Sequence, residues 1–161
     1  MKPIAITVLV TGLALGCGNH HDHDHNGHPH DHDDDGHSHE APNGGVLVEL
    51  SDDACYLEFL LDESNATRMT ILAHEFHPHV TYVKLSMAQI EVVAKVGDKE
   101  RKLMFKPVVD ALLGNNATHS SEYEAAADWL RDTTAFKGRI VHLDFPGGVT
   151  HNKPFQFSKK D

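Results

Sequence analysis

The chain has 161 residues, with 14 Lys and Arg against 24 Asp and Glu, and a formal net charge of −10. That length holds one modest domain, the acid excess without a basic stripe excludes nucleic acid as a partner, and two cysteines exclude a disulfide-built scaffold. In chain order, Met1-Lys2-Pro3 is a short positive segment. Ile4 to Gly16 is an uncharged, largely apolar run, too short to span a bilayer and of the length of a signal-peptide core. Residues 1–16 are therefore expected to be a signal peptide and the chain to be exported.

The run closes on Leu13-Ala14-Leu15-Gly16-Cys17, which resembles the bacterial lipobox, although Ala14 stands where the commonest form has Leu. The resemblance implies a lipoprotein in which Cys17 is the mature N-terminus and the lipid attachment site. It would be held on the membrane in the bacterial cell envelope, facing the periplasm or the exterior. The alternative is plain cleavage near Gly16 or Gly18. With Cys17 acylated, Cys55 has no internal partner and reads as a small buried hydrophobe on a strand.

Residues 20–40 carry nine of the fifteen histidines with six aspartates and Glu40, and no Lys or Arg. Neutral imidazoles and carboxylates are the side chains that coordinate first-row divalent ions. His20, His21, His23, His25, His28, His30, His32, His37 and His39, with Asp22, Asp24 and Asp31, are the candidate ligands. Their His-x-His spacing puts alternate imidazoles on one side of an extended backbone, so two can close on one ion and a neighbouring cluster can add a third donor. Such a tract offers several interchangeable weak sites, with zinc or copper expected first and Ni²⁺ and Co²⁺ also suited. Two other readings stand beside this one: a hydrophilic spacer, and a pH sensor built from imidazoles that titrate near pH 6.5. Lacking apolar periodicity, residues 17–44 are expected to be a disordered, lipidated arm.

From Val46 the pattern changes to short β-type runs separated by turn-formers: 46–50, 55–61, 68–73, 81–85, 89–96 and 101–105, with a hairpin expected at Gly97-Asp98-Lys99. Pro107 to Ser120 reads as a long connection. Ser121-Glu122-Tyr123-Glu124 matches a capping box and predicts a short helix through Leu130. Two final strands, 139–145 and 155–157, are joined through Pro146-Gly147-Gly148. Residues 45–161 are thus expected to form an immunoglobulin-like antiparallel β-sandwich with one short helix.

Within that domain His74-Glu75-Phe76-His77-Pro78-His79 is a second histidine cluster. It lacks the helical i, i+4 spacing of a zincin, and Pro78 opposes a helix, so a zincin protease is rejected. His77 and His79 remain a secondary metal candidate. No nucleophile elbow, phosphate loop or dinucleotide fingerprint is present, and the chain is read as a non-enzyme.

Pro42-Asn43-Gly44-Gly45-Val46-Leu47-Val48-Glu49-Leu50, followed by Tyr56-Leu57-Glu58-Phe59, resembles a bacterial envelope lipoprotein family of unassigned activity. It is also similar to the β-sandwich segment near the N-terminus of periplasmic adaptor subunits of heavy-metal efflux pumps. The chain departs from those adaptors in having Asn43 where they usually have His, and in lacking their coiled-coil hairpin and lipoyl-like portion. The resemblance implies a free-standing metal-binding accessory to efflux, uptake or buffering, with a transporter or efflux complex as its partner. The rival from another class is an envelope protein-interaction module whose arm is a spacer.

Overall fold

The computed structural model describes residues 39–51 and 55–159. The expected signal peptide, the lipid site Cys17 and the tract from His20 to His37 lie outside those residues. Nine strands follow in order: β1 (Val46–Ser51), β2 (Cys55–Leu61), β3 (Arg68–Glu75), β4 (Thr81–Tyr82), β5 (Ile90–Val96), β6 (Lys99–Pro107), β7 (Glu122–Ala126), β8 (Ala135–Phe145) and β9 (Gly148–Ser158). Every pairing is antiparallel. The spatial order is β1-β2-β3-β7-β6-β5-β8-β9, with β4 paired to the far end of β3.

The expected antiparallel, mostly β domain is thus present, but its strands run as one path. β6 pairs with both β5 and β7, and β1 lies against β9, so the sheet nearly closes into a barrel. The pairing of β6 with β7 joins the two halves of the strand order into one path, and this nearly closed antiparallel sheet is the architecture the described residues show. The expected helix is corrected. Glu122–Ala126 is a strand held between β3 and β6, and only Asp128–Leu130 turns, as a single 3-10 turn. Tyr123 and Ala125 are buried at alternate positions, a period-2 pattern that backbone pairing on both sides enforces over the local helix signal.

The barrel interior is filled by Leu57, Phe59, Met69, Ile71, Ile90, Val92, Leu103, Phe105, Tyr123, Ile140 and Leu143, all essentially inaccessible. Each such side chain contributes roughly 1.5–3 kcal/mol of burial. Two hairpins are set by glycine. Gly97-Asp98 joins β5 to β6 with Gly97 at φ +58°, and Pro146-Gly147 joins β8 to β9 with Gly147 at φ +104°.

One strand departs from half-buried alternation. In β2 five consecutive residues, Cys55 to Phe59, are buried. Cys55, Leu57 and Phe59 belong to the core, while Tyr56 and Glu58 point to the other face, where residues 39–45 and the loop after β3 cover them. That covering layer is where the histidine tract joins the barrel.

Candidate functional site at the base of the histidine tract

Glu58 is fully buried, so its carboxylate must find partners or become neutral. It finds four donors. Oε1 accepts from the backbone N–H of Asn43 and of Gly45, both at 2.9 Å, and Oε2 accepts from the Asn43 side-chain amide at 2.9 Å. The fourth is His74, whose Nε2 lies 3.0 Å from Oε2. β2 and β3 supply the geometry: Tyr56 sits opposite His74, so Glu58 and His74 are diagonal neighbours on one face of the sheet.

The Asn43-Gly44-Gly45 turn can reach the carboxylate because Gly45 has no side chain. A Cβ there would stand 2.5 Å from the carbonyl oxygen of Phe59, and Gly44 takes φ +79° to complete the bend. Burial pushes the Glu58 carboxyl up. The hydrogen bonds from Asn43, Gly45 and His74 outweigh it and hold the group below the ordinary carboxylate range. For His74, burial pushes the imidazole down more than Glu58 pulls it up. At neutral pH the pair is therefore an ionised carboxylate and a neutral imidazole. An ionised carboxylate only accepts, so the His74 proton resides on Nε2 and the lone pair on Nδ1, which is buried without a hydrogen-bond partner.

Around this pair is an aromatic layer. His39, the last histidine of the tract, stacks on Phe76 with ring centroids 4.2 Å apart and meets Tyr56 edge-on at 5.3 Å. Tyr56 meets Phe76 at 4.8 Å, and Tyr82 tilts over the His74 ring at 5.1 Å. His77 approaches His39 edge-on at 5.5 Å, and His79 lies exposed on the same loop. Of the residues expected as ligands, then, the structure places His39 and His77 side by side and His79 nearby in the chain. No group of three or more His, Cys, Asp or Glu side chains among the described residues is arranged to hold a metal ion.

Cys55 starts β2, fully buried, with its thiol pushed up to about 12 by burial and then by Glu75. A buried thiol held protonated in this way is a poor nucleophile at neutral pH, and its full burial on a strand agrees with the expectation of a buried hydrophobe. A cleft of about 130 Å³ opens beside the Asn43-Gly44-Gly45 turn, bordered by Val46, Leu60, Phe157 and Lys159. Its one strongly hydrogen-bonded acid, Asp62, is committed to Ser64 and Arg68.

Sequence reasoning touched Asn43 and Glu58 only within the resemblance and His74 only within a histidine cluster, and did not join them into one site. In β2 the alternation Leu57-Glu58-Phe59 reads as a strand with one wet face, and only the tertiary cover over that face makes the carboxylate a buried one. No protein family matches the chain, and neither a curated protein nor a solved structure matches it.

Proposed function

We propose that this protein is an exported, lipid-anchored binder of divalent transition metal ions in the bacterial envelope. The arm from His20 to His39 captures the ions and the β-domain carries the arm. The observation that carries the reading is compositional: nine imidazoles and six aspartates in residues 20–40, with no cation among them. The described end of the tract is compatible with it, since His39 is seated on Phe76 and the Asn43-Gly44-Gly45 turn is clamped on Glu58. Cys17 serves as anchor, zinc or copper as cargo, and an efflux or uptake system of the envelope as the recipient. The protein binds and hands on its ion and transforms nothing.

Calorimetric titration of the processed chain with Zn²⁺, Cu²⁺ and Ni²⁺, with and without residues 19–40, tests this. Several bound ions should disappear on truncation. A processed chain that takes up no ion, or a truncated one that takes up as many, overturns it.

One observation favours the rival reading of an interaction module. The connection after β6 exposes Val109, Leu112 and Leu113 together, on a turn closed by the Asp110 and Asn115 bridge and by Asp110 Oδ1 accepting from the Leu112 N–H. Under that reading partner capture survives removal of the arm, whereas metal uptake does not.

A further inference from the structure

The β8–β9 hairpin carries a second imidazole pair that belongs neither to the tract nor to the loop after β3. His142 and His151 are directly opposed in register, their rings tilted by 33° with centroids 4.8 Å apart and their Nδ1 atoms 3.3 Å apart. His142 and its neighbour Asp144 are about half exposed, and His151 is exposed. On such an exposed surface a hydrogen bond shared between two imidazoles contributes little to stability.

The separation has a second meaning. Two imidazole nitrogens each about 2.0–2.1 Å from one ion, at the near-tetrahedral angle zinc prefers, lie about 3.3 Å from each other. The pair already has the bite of a chelate, held by a paired backbone on both sides, and small turns of the two rings would aim both lone pairs at a common point. Behind His142, Asp144 Oδ1 lies 3.3 Å from Nε2. A carboxylate at the far nitrogen of a ligating imidazole favours the proton there and leaves Nδ1 as the donor, the arrangement that orients histidines at metal centres. Asp144 meets the nitrogen that faces away from the pair, so it is not a third ligand. A cleft bordered by Met87, Gln89, Glu91 and Val141 lies beside His142.

We propose that His142 and His151 form a bidentate site for one divalent transition ion of the imidazole-preferring class, Zn²⁺, Cu²⁺ or Ni²⁺, with Asp144 as the positioning residue behind His142. The site is on the domain and does not rest on the metal-capturing arm.

The test reads each histidine separately on the full processed chain, by carbethoxylation with diethyl pyrocarbonate at neutral pH and peptide mass spectrometry, with and without Zn²⁺. Zinc should protect His142 and His151 together, while the exposed His119 continues to be labelled. His142→Ala should abolish protection at His151, and His151→Ala should abolish it at His142. Asp144→Asn should keep the mutual protection but raise the zinc needed for half-protection about tenfold. All three positions are surface positions on a hairpin, and an unchanged far-ultraviolet circular dichroism spectrum establishes that each variant is folded. Labelling of both histidines at the zinc-free rate overturns the proposal, as does protection of one that survives loss of the other. A protected pair beside an unprotected tract would leave this site standing and remove the arm reading, and the reverse pattern would do the opposite.

Discussion

Glu58→Gln keeps the side-chain volume at the base of the tract and removes the charge. In the native site one carboxylate serves four donors: the N–H groups of Asn43 and Gly45 on Oε1, and the Asn43 amide with His74 Nε2 on Oε2. A glutamine can give its oxygen to the two backbone donors, but its NH₂ then faces the Asn43 NH₂ and the His74 N–H. His74 can move its proton to Nδ1 and Asn43 can rotate, so the lasting loss is the charge assistance. Hydrogen bonds to a charged group contribute about 1.5–3 kcal/mol against about 0.5–1.5 kcal/mol for neutral ones. Summed over this site the expected cost is about 2–4 kcal/mol, a large share of a typical domain stability of about 5–15 kcal/mol. Urea unfolding followed by circular dichroism at pH 7 measures it as a lower midpoint with an unchanged slope. The pH dependence gives a second reading. Glu58 titrates lower in the folded than in the unfolded chain, so its contribution is complete above about pH 4.3 and fades as pH falls through the folded value. The gap between wild type and variant should therefore narrow on strong acidification. A loss below about 1 kcal/mol at pH 7, or a gap unchanged down to pH 3, would refute the assignment of Glu58 as the ionised clamp.

Three further outcomes follow from the same packing. His74 also titrates below its ordinary value, so the unfolded chain takes up that proton first and the domain should lose stability as pH drops below about 6.5; His74→Gln should flatten that part of the urea-midpoint profile. Gly45→Ala puts a Cβ 2.5 Å from the Phe59 carbonyl oxygen, a backbone atom of β2, and should cost about 1–3 kcal/mol in the same assay. Cys55, buried with its thiol pushed up to about 12, should resist iodoacetamide at pH 8 in the native chain and react in urea, as peptide mapping by mass spectrometry would show.

Much of the β architecture is legible in local sequence, since Val46 to Leu50, Cys55 to Leu61 and Arg68 to Ala73 each become a strand over the expected span or slightly more. Local sequence is silent on closure. A sandwich and a barrel can be built from the same short strands, and the difference here lies in β6 pairing with both its neighbours and in β1 reaching β9. Those are non-local pairings that no periodicity reports. The one element of the wrong type, Ser121 to Leu130, fails for a related reason. Its capping box and alanines favour helix by a few tenths of a kcal/mol per residue, whereas Glu122–Ala126 gains ladders to β3 and β6 and the burial of Tyr123, whose hydroxyl donates to the carbonyls of Leu85 and Met87. Tertiary pairing outweighs propensity.

The imidazole pair on the last hairpin was hidden by a single residue. A connection through Pro146, Gly147 and Gly148 would set His142 opposite Asn152, and His142 and His151 would then read as isolated surface histidines. The turn is in fact Pro146-Gly147, with Phe145 opposite Gly148, and that register brings His142 opposite His151. Because side chains alternate with period two, a slip of one would also have sent the partner to the other face of the sheet. The chemistry of this hairpin thus depends on a backbone choice. Proline sets φ near −65°, glycine takes φ +104°, and together they close the turn in two residues. An insertion of one residue between Gly147 and Gly148 should leave the composition of the hairpin intact while separating the two Nδ1 atoms. Zinc protection of His142 and His151 in the labelling experiment should then be lost, and its persistence would show that the register is not what brings the imidazoles together.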